Sequence, residues 1–311
     1  MSGAGAVISI AIIVIPILLS IGIPKDIALF SFTGSVAAGI FANPVNFTQY
    51  QAFFSDPNYH FLDYAPFGYL SALIMLLIVS ISSAIYLRLR GNRKMWAITY
   101  YDKDETMPAV ALMTPLIPVF GVAVLKLPTI VCFIIASVFA ILVCELSEKK
   151  KMATSQIISK LFADGVKDTA SMVGFWMALS MFNASAQFAG PYFNVVLGNV
   201  IPQSTFALTL FFAFFSIFTW FRGPMSLIGC GAAVLAVIQQ SPMAYPTSFL
   251  YPLFIVIMIG MGHFDVTTSW IAWGLSYTKL DAKDYMRLAL IPGLVIAFVL
   301  EMLTYVFFGG F

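Results

Sequence analysis

Long apolar runs recur from one end of this 311-residue chain to the other, and many are long enough to cross a lipid bilayer. Hydrophobic residues make up 60% of the chain and charged residues only 10%, which is too few for the surface of a soluble protein of this length. Inside a bilayer every backbone N–H and C=O needs an internal partner, so only helices or a closed barrel can span it. The runs lack the alternating pattern of barrel strands. The sequence therefore predicts an all-α polytopic membrane protein.

Some of the apolar segments contain polar interruptions. The candidate spans lie at about 6–23, 28–47, 66–88, 108–124, 127–145, 170–200, 204–221, 224–240, 248–278 and 284–309. A polar centre followed by Gly190-Pro191 predicts a re-entrant hairpin over 170–200. Glycine and polar residues within 248–278 predict two half-helices with an unwound centre, and Asn43-Pro44 predicts a similar break in the second span.

A glycine-rich opening followed by an interrupted apolar segment occurs twice, starting at residues 3–12 and 229–238. The loop before the final span is acidic in the first copy and basic in the second, so the two copies should enter the membrane from opposite sides. Discontinuous helices in an inverted repeat are typical of secondary transporters. The predicted domains are a partial first repeat at 1–90, a cytoplasmic linker at 91–107 and a second repeat at 108–311, with scaffold helices 108–145, hairpin 170–200 and broken helix 248–278. The first copy covers fewer residues than the second, so a segment equivalent to 108–225 is expected to be missing before Met1.

The distribution of basic residues predicts how the chain is oriented in the membrane. Lysine and arginine crowd the segments 88–107, 146–168 and 279–287, which should therefore be cytoplasmic. The 49–64 loop carries acidic residues without Lys or Arg, so this loop and the C-terminus should lie outside. A multi-pass protein of a bacterial-type inner membrane is the localisation we expect.

The polar side chains at the interruptions are the candidate binding groups. A carboxylate within the membrane needs dipoles that replace its hydration water, and amides, hydroxyls and half-helix N-termini supply them. The predicted substrate-binding residues are Asn43, Asn46, Asn183, Ser185, Gln187, Thr267, Thr268 and Arg222. The alternative is that the amides and hydroxyls only join packed helices and that Arg222 snorkels to the interface.

An ionisable group inside an apolar segment is costly unless it is paired, protonated or hydrated. Asp265 is therefore the predicted cation- or proton-coupling residue, with His263 and Ser269 beside it, and a Na⁺ site is predicted near Asn43, Pro44 and Asp265. For Glu301 in the last span, a buried polar contact and a proton carrier both remain open. We expect no cofactor other than Na⁺ or H⁺ as a coupling ion. No catalytic constellation is evident, so the protein is not predicted to be an enzyme.

The sequence resembles the ion transporter superfamily, which includes citrate, C4-dicarboxylate and gluconate permeases. The resemblance rests on Pro16 followed by Ser20-Ile-Gly-Ile-Pro24, the Asn43-Pro-Val-Asn46 break, the Asn183-containing hairpin and Arg222-Gly-Pro224. The Ser-Asn-Thr signature of the dicarboxylate/sodium branch is replaced here by Asn183-Ala-Ser185. The resemblance implies substrate binding between hairpin tip and broken helices, a moving transport domain and a homodimer.

Three functions follow as hypotheses. The first is a secondary transporter of a small organic anion of the di- or tricarboxylate type, coupled to Na⁺ or H⁺, with the lipid bilayer as its surroundings and no nucleic-acid partner. The second is a Na⁺/H⁺-type antiporter using Asp265 and Glu301. The third is a membrane enzyme or a non-catalytic membrane subunit.

Overall fold

The computed structural model describes residues 4–54, 56–90, 108–114, 116–123, 125, 127, 129–147, 156, 158–164, 166, 177, 181, 184–185, 188–189, 192, 195, 201–240 and 243–310. Helices and turns account for this part of the chain, and no strand occurs in it. Four helical segments are long and apolar enough to cross a membrane, namely Phe61–Arg90, Thr205–Arg222, Thr247–Thr278 and Ala282–Phe308. The prediction of an all-helical chain with several membrane-crossing helices is confirmed for these residues.

The α-helices with described ends are named in chain order. They are α1 (Ala4–Ser20), α2 (Lys25–Phe41), α3 (Pro44–Gln51), α4 (Phe61–Arg90), α5 (Leu116–Ala123), α6 (Thr129–Ser147), α7 (Thr205–Phe215), α8 (Gly231–Gln239), α9 (Thr247–Gly260), α10 (Ser269–Thr278) and α11 (Ala282–Phe308). Short 3₁₀ turns lie at Ala109–Met113, Ser216–Arg222 and Gly262–Phe264.

A sharp bend separates α2 from α3, and its cause is local. Pro44 has no backbone N–H and therefore cannot continue α2, but its fixed φ suits the first position of a new helix. Asn43 caps that helix, because its Oδ1 accepts a hydrogen bond of 2.9 Å from the Val45 N–H. The two helices form an angle of 74°, so together they make either a broken span or a re-entrant loop.

The predicted span at 224–240 is helical only from Gly231 onward. Before it the chain folds back on itself so tightly that a Cβ on Gly229 would lie 2.1 Å from the Arg222 carbonyl oxygen. Phe221 and Arg222 both adopt the left-handed conformation, with φ of 56° and 58°. The glycines of this segment therefore permit a close turn within the chain, which shortens the helix.

Helix α4 runs antiparallel to α11. The rings of Phe67 and Phe308 lie 5.4 Å apart at one end of the pair, and the Tyr86 hydroxyl donates to the Leu288 carbonyl at the other. The end of α4 and the start of α11 therefore share one side of the bundle. Arg88 and Arg90 lie there with the basic first turns of α11, and Arg90 forms an ion pair of 2.5 Å with Asp26 of α2.

The two interrupted segments also run antiparallel to one another. Phe30 of α2 stacks on Phe264 with ring centroids 5.1 Å apart, while Phe47 of α3 contacts Tyr251 of α9 at 4.7 Å. The Thr247–Thr278 segment lies at the centre of the bundle. In its most apolar 18-residue stretch, 89% is buried within the protein, whereas the buried share of the corresponding stretch of Phe61–Arg90 is 17%.

Residues 99–173 form a separate compact unit. In its described part α5 packs against α6, and a Cβ on Gly121 would lie 2.6 Å from the Cys132 sulfur. Glycine thus lets these two apolar helices approach closely. The predicted domain boundaries at 90, 107 and 108 stay predictions.

Two helical glycines offer a matched test of the packing. A Cβ on Gly68 of α4 would lie 2.6 Å from the Phe41 carbonyl oxygen, whereas a Cβ on Gly39 of α2 meets nothing within 4 Å. Gly68→Ala should lower the free energy of unfolding by about 1–3 kcal/mol through overpacking. Gly39→Ala should leave it unchanged or raise it by up to about 1 kcal/mol through helix propensity. Thermal unfolding of both purified variants in lipid nanodiscs measures the difference, and equal midpoints would contradict the α2–α4 contact.

Candidate functional site

The centre of the Thr247–Thr278 segment departs from the helical path. Helix α9 ends at Gly260, a 3₁₀ turn covers Gly262–Phe264, and the chain is extended at Asp265 and Thr268 before α10 begins at Ser269. The glycines also allow close packing, because a Cβ on Gly260 would lie 2.9 Å from Ile296 of α11. An unwound stretch therefore lies in the most buried segment of the protein.

Asp265 holds this stretch to a second turn. Its Oδ1 accepts from the Thr267 N–H at 2.9 Å, and its Oδ2 accepts from the Thr267 hydroxyl at 2.6 Å and from the Phe221 N–H at 2.8 Å. The carboxyl is buried, with the residue 3% exposed. Backbone and hydroxyl dipoles thus replace the water that a buried carboxylate loses, and a contact across 44 residues joins the two turns.

The second turn, Ser216–Arg222, is anchored by two further contacts. The Trp220 indole N–H donates to the Met261 carbonyl at 2.9 Å. A Cβ on Gly262 would lie 2.8 Å from the Thr219 methyl group, so only glycine fits here without displacing Thr219. These contacts oppose the cost of the left-handed residues Phe221 and Arg222, about 1–2 kcal/mol each.

The positive charge of Arg222 acts on residues of two other segments. The guanidinium is close enough to act electrostatically on both Tyr50 of α3 and the His263 ring. The residue is half-buried, whereas Tyr50 and His263 are buried. Charges in such water-poor surroundings interact more strongly than they do in bulk water.

Helix α3 has one buried polar face. Asn46 and Tyr50 are four residues apart, so they lie on the same side of the helix. Tyr251 of α9 holds the helix in place by donating its hydroxyl proton to the Phe47 carbonyl at 3.3 Å. The Asn46 Oδ1 is buried and accepts no hydrogen bond from any described residue.

His263 and Trp270 contribute a ring pair on the other side of the unwound stretch. Their ring centroids are 5.5 Å apart, and the His263 Nδ1 lies 3.1 Å from the Met258 carbonyl oxygen. Because a carbonyl only accepts, Nδ1 carries the proton in this contact. Within the described part of the chain, the buried Trp270 indole N–H donates to no acceptor. Buried polar atoms are normally paired, so Asn46 Oδ1 and Trp270 Nε1 are exceptions that need an explanation.

No protein-family model, curated protein or solved structure matches this chain.

The structure joins two of the three interruptions that carry the predicted site residues, namely the Ser216–Arg222 turn and the unwound stretch. Eight predicted residues belong to the α2–α3 break, the Ser216–Arg222 turn and the unwound stretch. They are Asn43, Asn46, Arg222, His263, Asp265, Thr267, Thr268 and Ser269. Asn43 caps α3, Thr267 binds Asp265, and Thr268 is the buried residue that precedes α10. Pro44 opens α3 and Ser269 is exposed at the start of α10.

Most of the predicted hairpin lies outside the described residues. Asn183 and Gln187 lie outside the described residues. Ser185 is exposed, and its hydroxyl donates to the Met181 carbonyl at 2.9 Å. Within the described residues no group of three or more His, Cys, Asp or Glu side chains could hold a metal ion.

Three residues of the cluster were not predicted from the sequence. Tyr50 and Trp270 look like ordinary aromatic residues of apolar segments, and Trp220 looks like an interfacial anchor. The spacing of Asn46 and Tyr50 on one helical face was the only available signal. The hydrogen bond from Trp220 depends on a distant contact that no local pattern predicts.

The role of Asp265 can be tested against Asp281. Each accepts a hydrogen bond from the N–H two residues ahead, but Asp281 is an exposed helix cap. Asp265→Asn places an amide N–H₂ where two donors point, so we expect the free energy of unfolding to fall by about 2 kcal/mol. Asp281→Asn keeps a good cap and should change it by less than about 0.5 kcal/mol.

Thermal unfolding in nanodiscs provides the comparison. If Asp265→Asn were as stable as the wild-type protein, the carboxylate would not be what holds the two turns together.

Proposed function

We propose that this chain is a membrane-embedded secondary transporter for a small organic anion, coupled to a cation. The observation that carries the proposal is the joining of two interrupted segments by the buried Asp265 carboxyl, which holds the turn that ends at Arg222 against the unwound stretch. Arg222 supplies positive charge within electrostatic range of His263, and the His263 ring lies 5.5 Å from Trp270, whose buried Nε1 has no partner among the described residues. Irregular backbone at membrane depth is tolerated where it is buried or lines a cavity, which is how transporters build substrate sites.

The chemistry of the cluster suits a carboxylate. A guanidinium and an indole N–H both donate to anionic oxygens. The Asn46 amide would supply a further donor, and its unpaired Oδ1 would accept from a hydroxyl of a hydroxy acid. A di- or tricarboxylate would need additional donors, for which the hairpin residues Asn183, Ser185 and Gln187 remain the proposal.

The charge balance of the cluster favours coupling to a cation. Arg222 and Asp265 contribute one formal charge of each sign, so a bound anion leaves the site with net negative charge within the membrane. A co-transported Na⁺ or H⁺ would neutralise it and lower the cost of crossing.

The antiparallel arrangement supports an inverted repeat. In that proposal α2–α3 corresponds to α9–α10 and α4 corresponds to α11, and both pairs run in opposite directions. The basic end shared by α4 and α11 would be cytoplasmic by the positive-inside rule. A homodimer in a bacterial-type inner membrane completes the proposal.

Thermal stabilisation of the purified protein across a panel of mono-, di- and tricarboxylates, with and without Na⁺, tests the function. A ligand at 100 times its Kd stabilises the native state by about 2.7 kcal/mol. If none of these anions stabilises the protein, and alkali cations drive proton flux in proteoliposomes without any organic substrate, the antiporter replaces the anion transporter.

Two tryptophans allow a matched test of the site. Trp270→Phe keeps the ring but removes the unpaired N–H, so binding of the stabilising carboxylate should weaken about tenfold or more, the value of one hydrogen bond to a charged group. Trp273→Phe, three residues along α10 and stacked on Tyr277, should leave the affinity unchanged. Arg222→Gln should abolish binding, whereas equal affinities for all three variants would place the anion elsewhere.

A further inference from the structure

Glu301 is a carboxyl group that the anion site does not use. It lies within the uninterrupted helix α11 and is 0% exposed. Neither of its carboxyl oxygens has a hydrogen-bond partner among the residues that the structure describes. Its neighbour Thr304, one turn along the helix, donates to the Leu300 carbonyl.

The helices around Glu301 can be aligned from their contacts. Helix α7 is antiparallel to α11, with Phe206 near Tyr305 and Phe214 near Phe298. This register puts Glu301 level with Phe212 of α7, which is the fully buried ring that lies 4.8 Å from Phe254.

Helices α9 and α4 complete the surroundings. Gly260 faces Ile296, which puts the region around Phe254 level with Glu301. The α4 register puts Ser71 within about one turn of Glu301, and the Ser71 hydroxyl is also buried without a partner. The carboxyl group therefore lies among aromatic and aliphatic side chains, with one unpaired hydroxyl nearby.

No described ionisable side chain of opposite charge lies level with Glu301. The nearest titratable groups on the packed helices are Tyr251 of α9, Tyr69 of α4 and Tyr305 of α11. Thr205–Phe215 contains no titratable residue, and those of α2 are Lys25 and Asp26 in its first turn.

The charged groups of the anion site lie further along the bundle. The same registers put Arg222 and His263 level with residues 290–293 of α11. That is about nine residues, or roughly 14 Å, from Glu301.

We propose that Glu301 is a proton-binding site that is loaded in this conformation and exchanges its proton with water in another. An ionised carboxylate without partners would cost several kcal/mol here, so the neutral acid is the form that this packing accepts. A permanently neutral position would be filled at lower cost by an apolar residue, because the acid's own O–H and C=O are unpaired. Within the proposed transport function, on which this step rests, the proton is the coupling ion and its site is separate from the anion site.

Infrared spectroscopy of the protein in nanodiscs tests the site without any substrate. At low pH the spectrum should contain a carboxylic-acid C=O band that disappears reversibly as the pH is raised while the protein stays folded. Glu301→Gln should remove this band, and Glu145→Gln, in the apolar helix α6, should leave it in place.

Two results would overturn the proposal. One is the absence of any Glu301-dependent acid band, and the other is a band that persists at every pH at which the protein is folded. If Glu301→Gln does not fold, ¹³C-glutamate labelling of a variant in which Glu105, Glu145 and Glu148 are replaced by glutamine assigns the band, since Glu301 is then the one glutamate left in the chain.

Transport provides the second measurement. Glu301→Gln should keep carboxylate binding and carboxylate counterflow in proteoliposomes, but lose accumulation driven by a pH gradient. Retained pH-driven accumulation would contradict the coupling role. If no carboxylate binds the wild-type protein, the proposed transport function fails while the infrared result still decides the proton site.

Discussion

The arrangement of the candidate site depends on the buried Asp265 carboxylate. Its hydrogen bonds to Thr267 keep the chain extended after α9, and its bond to the Phe221 N–H holds the Ser216–Arg222 turn against this stretch. Because Arg222 follows Phe221 directly, the same bond positions the backbone from which the Arg222 side chain extends. A buried charge of this kind is tolerated only when dipoles surround it, and here the interrupted backbone supplies those dipoles.

Asp265 and Glu301, two of the buried carboxyls of the described bundle, have opposite surroundings. Asp265 accepts three hydrogen bonds, whereas neither oxygen of Glu301 has a partner. The first positions the turn that carries Arg222. The second is suited to bind a proton. Anion recognition and proton binding would then occupy different levels of the same bundle, connected by α9 and α11.

Local chemistry made much of the fold predictable. Apolar run length predicted the membrane-crossing helices, and Pro44 after Asn43 predicted the break before α3. The span predicted at 224–240 is shorter in the structure, because Gly229 allows a close return of the chain to Arg222 that hydropathy does not detect. The predicted hairpin at 170–200 lies mostly outside the described residues and stays a prediction.

The candidate site was harder to predict than the helices. Polar residues at the interruptions were visible in the sequence, but their partners come from distant segments. Trp220 and Trp270 acquire their roles only through contacts with Met261 and His263, and Tyr50 only through its electrostatic interaction with Arg222. In an apolar chain an aromatic residue gives no sign of whether its polar atom is paired, so these three could not be distinguished from core residues.

The packing of the Ser216–Arg222 turn against the unwound stretch can be measured by a disulfide. A Cβ on Gly262 would lie 3.8 Å from the Thr219 Cβ, which is close to the mean disulfide separation of about 3.8 Å. The test uses a background in which Cys132, Cys144 and Cys230 are replaced by alanine. In it, the Thr219→Cys/Gly262→Cys double variant should form a disulfide on oxidation, so mass spectrometry should detect no thiol-reactive label on either cysteine. Thr219→Cys with Gly39→Cys should keep both labels. If the 219–262 pair stayed fully reduced in the folded protein, the two turns would not meet and the assembled site would be contradicted.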